Sequence, residues 1–180
     1  MTRWLSYEEQ AMTTQPQLIK IFEYALNQEQ TGMSFFQTSL DRIGIGAAKS
    51  AFERLIEEER RHISFISRLL DDLRQGMELD LEAAGAVSLE PTNYFDERAR
   101  SEFLQQCVEG SMVPDVTVFN VAWLMEKDLS EFYARMAQKT DGKAKEALEM
   151  LSRWEREHER FFRQYRDKLT EVYSTMPWGG

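Results

Sequence analysis

The stretch AKSAFERLIEEERRH at residues 48–62 returns as AKEALEMLSRWEREH at residues 144–158, an offset of 96. The copies share their Ala-Lys pair, Ala51 with Ala147, Leu55 with Leu151, and a Glu-x-x-His at Glu59/His62 and Glu155/His158. Upstream of each lies a second pair. ALNQEQTGMSFF (25–36) aligns with AWLMEKDLSEFY (122–133) at an offset of 97, matching Ala25 to Ala122, Glu29 to Glu126, Phe35 to Phe132 and Phe36 to Tyr133. A single loop residue separates the two registers. A chain that repeats two adjoining segments in this order is two copies of one two-element unit, and few topologies satisfy that.

The elements are helices. Leu18, Phe22, Ala25, Met33, Phe36 and Leu40 recur by threes, fours and their sums, the period of a helix and not of a strand. The same holds for Ala48, Ala51, Leu55, Ile66 and Leu69, for Val118, Ala122, Leu129, Tyr133 and Met136, and for Ala144, Ala147, Leu151, Phe162, Tyr165 and Leu169. The patterns predict helices over about 16–40, 47–73, 115–138 and 143–173. Gly44 and Gly46 break the first pair and KTDGK (139–143) the second, both short enough for antiparallel neighbours. Residues 74–114 are too many for a tight turn. They read as a crossover connection, with one short helix around FDERARSEFLQQC. The expected fold is all-α: a four-helix bundle of two helix hairpins joined by a long crossover, one domain over residues 1–180.

Composition narrows the function. A net charge of -9 opposes a nucleic-acid partner, which needs clustered Lys and Arg. No apolar run approaches the ~18 residues of a membrane span. MTRWLSYEEQ has no apolar core of a signal peptide. One cysteine, Cys107, excludes an internal disulfide and any Cys-rich zinc or iron centre. These features lead us to expect a cytoplasmic protein that binds neither nucleic acid nor membrane.

Each apolar stripe is interrupted near its middle by charge. The first reads Phe22, Ala25, Glu29, Met33, Phe36, and the second Leu55, Glu59, His62, Ile66. The third reads Ala122, Glu126, Leu129, Tyr133, and the fourth Leu151, Glu155, His158, Phe162. Isolated carboxylates in an apolar core cost several kcal/mol each, roughly, and four facing one another repel as well. A bound cation removes the objection, because carboxylates and neutral imidazoles are its ligands. Spacing of i, i+3 lets Glu59 and His62, or Glu155 and His158, point at one interior spot. One Glu-x-x-His in a Glu-rich chain reads as a solvated face. Two at equivalent positions, each joined by a mid-stripe glutamate, read as halves of one metal site.

These residues carry a resemblance. Ala25 and Glu29 before SFF, Glu59 and His62 in LIEEERRHI, Ala122 and Glu126 before DLSEFY, and Glu155 and His158 in WEREHERFF resemble the rubrerythrin-like branch of the ferritin-like superfamily. The resemblance covers roughly residues 16–73 and 114–173. It implies a ferritin-like bundle holding two iron ions, with manganese or zinc as substitutes. It further implies Glu29 and Glu126 as single ligands, Glu59 and Glu155 as bridges, and His62 and His158 as one cap per ion. The implied activity is reduction of hydrogen peroxide or dioxygen with oxidation of ferrous iron. Two departures stand out. The chain has no four-cysteine rubredoxin-like domain, so an electron donor must be external. It also has Leu129 where rubrerythrins place an additional carboxylate, which the family uses for redox-linked ligand switching.

Rival readings are an iron-binding or storage protein, an oxygenase acting on an organic substrate, and a bundle that needs no metal. A homodimer is the expected assembly. Glu58 is a candidate to orient a histidine, although its repeat counterpart, Trp154, cannot accept a hydrogen bond. Tyr133 and Tyr165 fall on inward stripes and read first as core residues with satisfied hydroxyls. Cys107 reads as an inert thiol, and Met33, Met125, Met136 and Met150 read as core filling.

Overall fold

The computed structural model describes residues 13–40, 47–86 and 116–175. Five helices lie in these segments: α1 (Gln15–Ser39), α2 (Ala47–Arg74), α3 (Leu81–Ala86), α4 (Val116–Ala137) and α5 (Gly142–Thr175). No strand occurs among the described residues. The long helices form an all-α bundle, with α1 packed on α2 and α4 on α5. The short helix expected near FDERARSEFLQQC and Cys107 lie outside the described residues. Among the described residues, α3 occupies the start of the connection, a short helix beginning Leu-Glu-Ala-Ala whose brevity left no periodicity to read. No helix of the described residues is long and apolar enough to cross a membrane.

Local chemistry sets where the helices stop. At the start of α1, the Gln17 side chain accepts the Thr14 backbone N–H at 2.8 Å, and Pro16 sits in the first turn, where its missing donor costs nothing. At the end of α2, Gly76 N–H bonds Leu73 O at 3.1 Å and Met77 N–H bonds Asp72 O at 2.9 Å. That paired closure needs a left-handed residue, and Gly76 supplies it at φ 70°. Gly142, at φ 58°, does the same for the turn between α4 and α5.

The core is split into two apolar plugs. At one end, Phe36, Phe52, Leu55, Phe119, Phe161, Phe162 and Tyr165 cluster together. Phe36 stacks on Phe162 at 5.6 Å, and Phe52 meets Phe162 edge-on at 5.7 Å. At the other end, Phe22, Phe65, Leu69, Tyr133, Ala147, Leu148 and Leu151 make a second cluster. Phe162 touches rings from three elements and is fully buried, so its truncation leaves a void that rigid helices cannot close. Phe162→Ala is expected to lower unfolding free energy by about 3–5 kcal/mol. Urea titration of the metal-free protein measures this, and a loss under about 1 kcal/mol would show that the plug repacks.

Candidate metal centre

Between the two plugs lies a layer of charge. Glu29 of α1, Glu59 and His62 of α2, Glu126 of α4, and Glu155 and His158 of α5 are all buried, none more than 5 % exposed. The antiparallel hairpins bring them to one level: each stripe leaves one plug, meets its charged residues, and enters the other. Glu59, His62, Glu155 and His158 each offer one donor atom, and these atoms all lie within 4.8 Å of one another.

The imidazoles organise the layer. His62 Nδ1 lies 2.7 Å from Glu155 Oε1, 3.5 Å from Glu29 Oε2 and 3.7 Å from Glu59 Oε2. His158 Nδ1 lies 3.2 Å from Glu59 Oε1, 3.4 Å from Glu155 Oε2 and 3.6 Å from Glu126 Oε2. Each imidazole therefore faces the single glutamate of its own hairpin, together with both Glu59 and Glu155. Those two carboxylates present one oxygen to each side. All six residues singled out from the sequence meet at this layer.

Buried polar atoms in folded proteins nearly always have hydrogen-bond partners. Here Glu29 Oε2, Glu59 Oε1, both oxygens of Glu155 and His62 Nδ1 make none. They approach closely without aligning N–H to lone pair, as donors do when they converge on a common point instead of on each other. The set contains oxygen and imidazole nitrogen and no thiolate, which suits iron, manganese or zinc. The residues fit such an ion.

Burial is the first influence on the protons of Glu59, His62, Glu126, Glu155 and His158. It raises Glu59 well above the usual carboxylate value, with further upward pushes from Glu155, Glu29 and Glu126. It likewise raises Glu126, with Glu155 adding to the effect. Burial works against a charge on His62, but Glu155 and Glu29 override it and hold His62 well above the ordinary imidazole value. His158 is raised the same way, against burial, by Glu126, Glu155, Glu58 and Glu59. Burial opposes ionisation of Glu155 too, yet His62 and His158 carry it well below the carboxylate range. Without an ion, the two imidazoles, Glu59 and Glu126 thus hold their protons more tightly than in water, and Glu155 holds its proton less tightly.

The partners around the layer differ between the two sides. His158 Nε2 lies 2.9 Å from Glu58 Oε2, across the bundle from α5 to α2. On the other side, Trp154 stacks on the His62 ring, centroids 5.0 Å apart and planes 11° from parallel. The Tyr133 hydroxyl on α4 donates to Glu29 Oε1 on α1, and burial followed by the Glu29 charge raises its pKa. Tyr165 instead stacks on Phe119 at 3.9 Å in the neighbouring plug.

A cleft of about 460 Å³ opens between α1 and α4 and reaches Glu59 and Glu126. Gly32, Met125, Leu129 and Phe132 line its length. None of these was singled out from the sequence as a site residue. Gly32 was readable: a glycine three residues after Glu29, on the buried face of a helix, marks a close approach or an opening. A Cβ there would meet only Met125 Cε, at 4.0 Å.

A protein-family model described as Rubrerythrin matches residues 20–166. No curated protein and no solved structure matches the chain.

Proposed function

The chain belongs to the rubrerythrin family, and from that membership and its buried carboxylate–imidazole layer we propose a di-iron protein that reduces hydrogen peroxide or dioxygen. The observation that carries the reading is the set of buried, unbonded oxygens and nitrogen facing one interior point. Glu29, Glu59, His62, Glu126, Glu155 and His158 are the ligands in this proposal. Glu59 and Glu155 lie between the two positions, with Glu29 and His62 to one side and Glu126 and His158 to the other. A ferrous pair held by these residues would supply two electrons to a peroxide, which with two protons would leave as two waters.

The protein's part is positioning and exclusion. The two apolar plugs keep bulk water from the ends of the layer. Tyr133 fixes the orientation of Glu29, and Glu58 fixes the His158 ring with Nδ1 turned inward. The α1–α4 cleft gives a small oxidant a way in beside Glu126. Electrons to restore the ferrous state come from an external donor.

The cleft also favours a second reading, since about 460 Å³ far exceeds what a peroxide fills. In that reading an organic molecule lies along Leu129 and Phe132 and is oxidised with dioxygen.

The test is anaerobic loading with ferrous iron, elemental analysis, then mixing with peroxide or dioxygen under an optical spectrum. Glu59→Ala/His158→Ala runs beside it. We expect about two irons per chain, lost in the variant, with oxidation faster by peroxide than by dioxygen. Faster oxidation by dioxygen would move the reading to ferroxidase or oxygenase chemistry. No bound metal in either protein would end it.

A further inference from the structure

The internal repeat makes the two halves of the metal layer equivalent in their six ligands but not in the residues behind them. Glu58 has Trp154 as its counterpart at the offset of 96, and Tyr133 has Phe36 at the offset of 97. Each exchange replaces a hydrogen-bonding side chain by one that cannot play the same part.

The consequences have the same sign. Glu58 is itself buried, and its carboxylate lies at hydrogen-bond distance from His158 Nε2. An imidazole whose outer N–H is given to a carboxylate is a stronger electron donor through its other nitrogen, and its ring is fixed. His62 has the indole face of Trp154 against its ring, and the indole ring offers no acceptor. On that same side, Tyr133 donates a hydrogen bond to Glu29, drawing charge from the carboxylate. One position is thus enriched in donor strength and the other depleted.

We propose that the two metal positions are inequivalent: the one formed by Glu126 and His158 is the high-affinity position, and the one formed by Glu29 and His62 is the weaker, exchangeable position. Glu58 is the positioning residue that creates the difference. This rests on the metal-centre reading above. The His158 side fills first and keeps its ion. The His62 side fills second and loses its ion first to a chelator. The centre therefore accepts two different metals in a fixed order, the second set by availability.

The experiment compares single-position variants with Co2+ as the probe. His62→Ala leaves the His158 position and His158→Ala leaves the His62 position; each metal-free protein is titrated against a competing chelator and followed by its visible bands. We expect His62→Ala to bind one Co2+ about 10–100-fold more tightly than His158→Ala. Adding Glu58→Gln to His62→Ala should abolish that advantage, and adding it to His158→Ala should change affinity by less than about twofold. If either histidine variant does not fold by circular dichroism, Glu58→Gln alone decides. It should weaken the first of two Co2+ steps in the otherwise unaltered chain and leave the second in place. Equal affinities for the two positions, or equal weakening of both by Glu58→Gln, overturn the proposal while leaving the metal centre intact. Failure of the unaltered chain to take up any Co2+ overturns the metal centre itself.

Discussion

Glu155→Ala is expected to empty both metal positions at once. Its side chain is wholly buried, with one oxygen 2.7 Å from His62 Nδ1 and the other 3.4 Å from His158 Nδ1. Removing a residue that serves one position alone leaves the other formed. Removing Glu155 takes a ligand from each, along with the anion between two ions of like charge. Metal retained through dialysis should fall from about two ions per chain to essentially none. The stabilisation that metal confers should vanish with it: at about 100-fold excess over the dissociation constant, a bound ligand contributes about 2.7 kcal/mol, and the variant should melt at the same temperature with and without metal. Elemental analysis and paired thermal melts measure both effects. Retention of both ions at wild-type affinity would remove Glu155 from the centre and leave Glu59 as the bridge.

The second large effect is a reversal of pH dependence by metal. Glu59 and Glu126 are held above 4.5 in the folded chain, and His62 and His158 above 6.5. A group with a raised folded pKa binds its proton more tightly in the folded state. Its contribution is complete below its unfolded value and is lost as pH rises through its folded value. Glu155 has the opposite sign: its contribution is present above 4.5 and lost as pH falls through its lowered folded value. Above 4.5, therefore, Glu155 no longer opposes them, and the four raised groups all weaken the metal-free fold as pH rises. Each proton forced off costs about 1.4 kcal/mol per pH unit. Metal ions replace those protons, and their affinity increases as the ligands are deprotonated. Between about pH 5 and pH 8.5, metal-free stability should fall and the gap to the loaded protein should widen. Urea titrations with and without Zn2+, a redox-silent probe, read the gap directly. Glu59→Gln removes one of the raised groups and should flatten the metal-free slope. A metal-free protein at least as stable at pH 8.5 as at pH 5 would show that the layer is hydrated and its carboxylates already ionised.

What the sequence could convey here depended on period and repetition. Helical stripes locate buried faces, so Glu29 between Ala25 and Phe36 announces a buried carboxylate without any knowledge of what faces it. The repeat then shows that four such anomalies share a level, because each pair of helices carries its charges at matching positions. Everything that depends on how one hairpin sits against the other was out of reach. Glu58 is adjacent to Glu59 in the chain and belongs to α2, yet its partner is His158 on α5. The Tyr133 stripe position suggested core, and only the packing of α4 against α1 brings its hydroxyl to Glu29. The cleft has no linear signature beyond Gly32, since its walls come from residues that read equally well as ordinary core. Leu129 illustrates the point: the sequence marked it as a missing carboxylate, and the structure makes it a wall of the opening.

The arrangement of the layer also bears on how the chain finds its register. A helix slipped by one turn against its partner moves about 5.4 Å along the axis, and an apolar plug of interchangeable phenylalanines and leucines penalises that slip only weakly. The charged layer penalises it heavily, because ligands displaced by that distance no longer converge and a buried carboxylate is left facing a phenyl ring. Each hairpin contributes half of the donor atoms, so neither can capture the ion pair alone. With metal bound as proposed, occupancy would act as proofreading of the docked state, selecting among nearly degenerate packings the one in which the two hairpins are level.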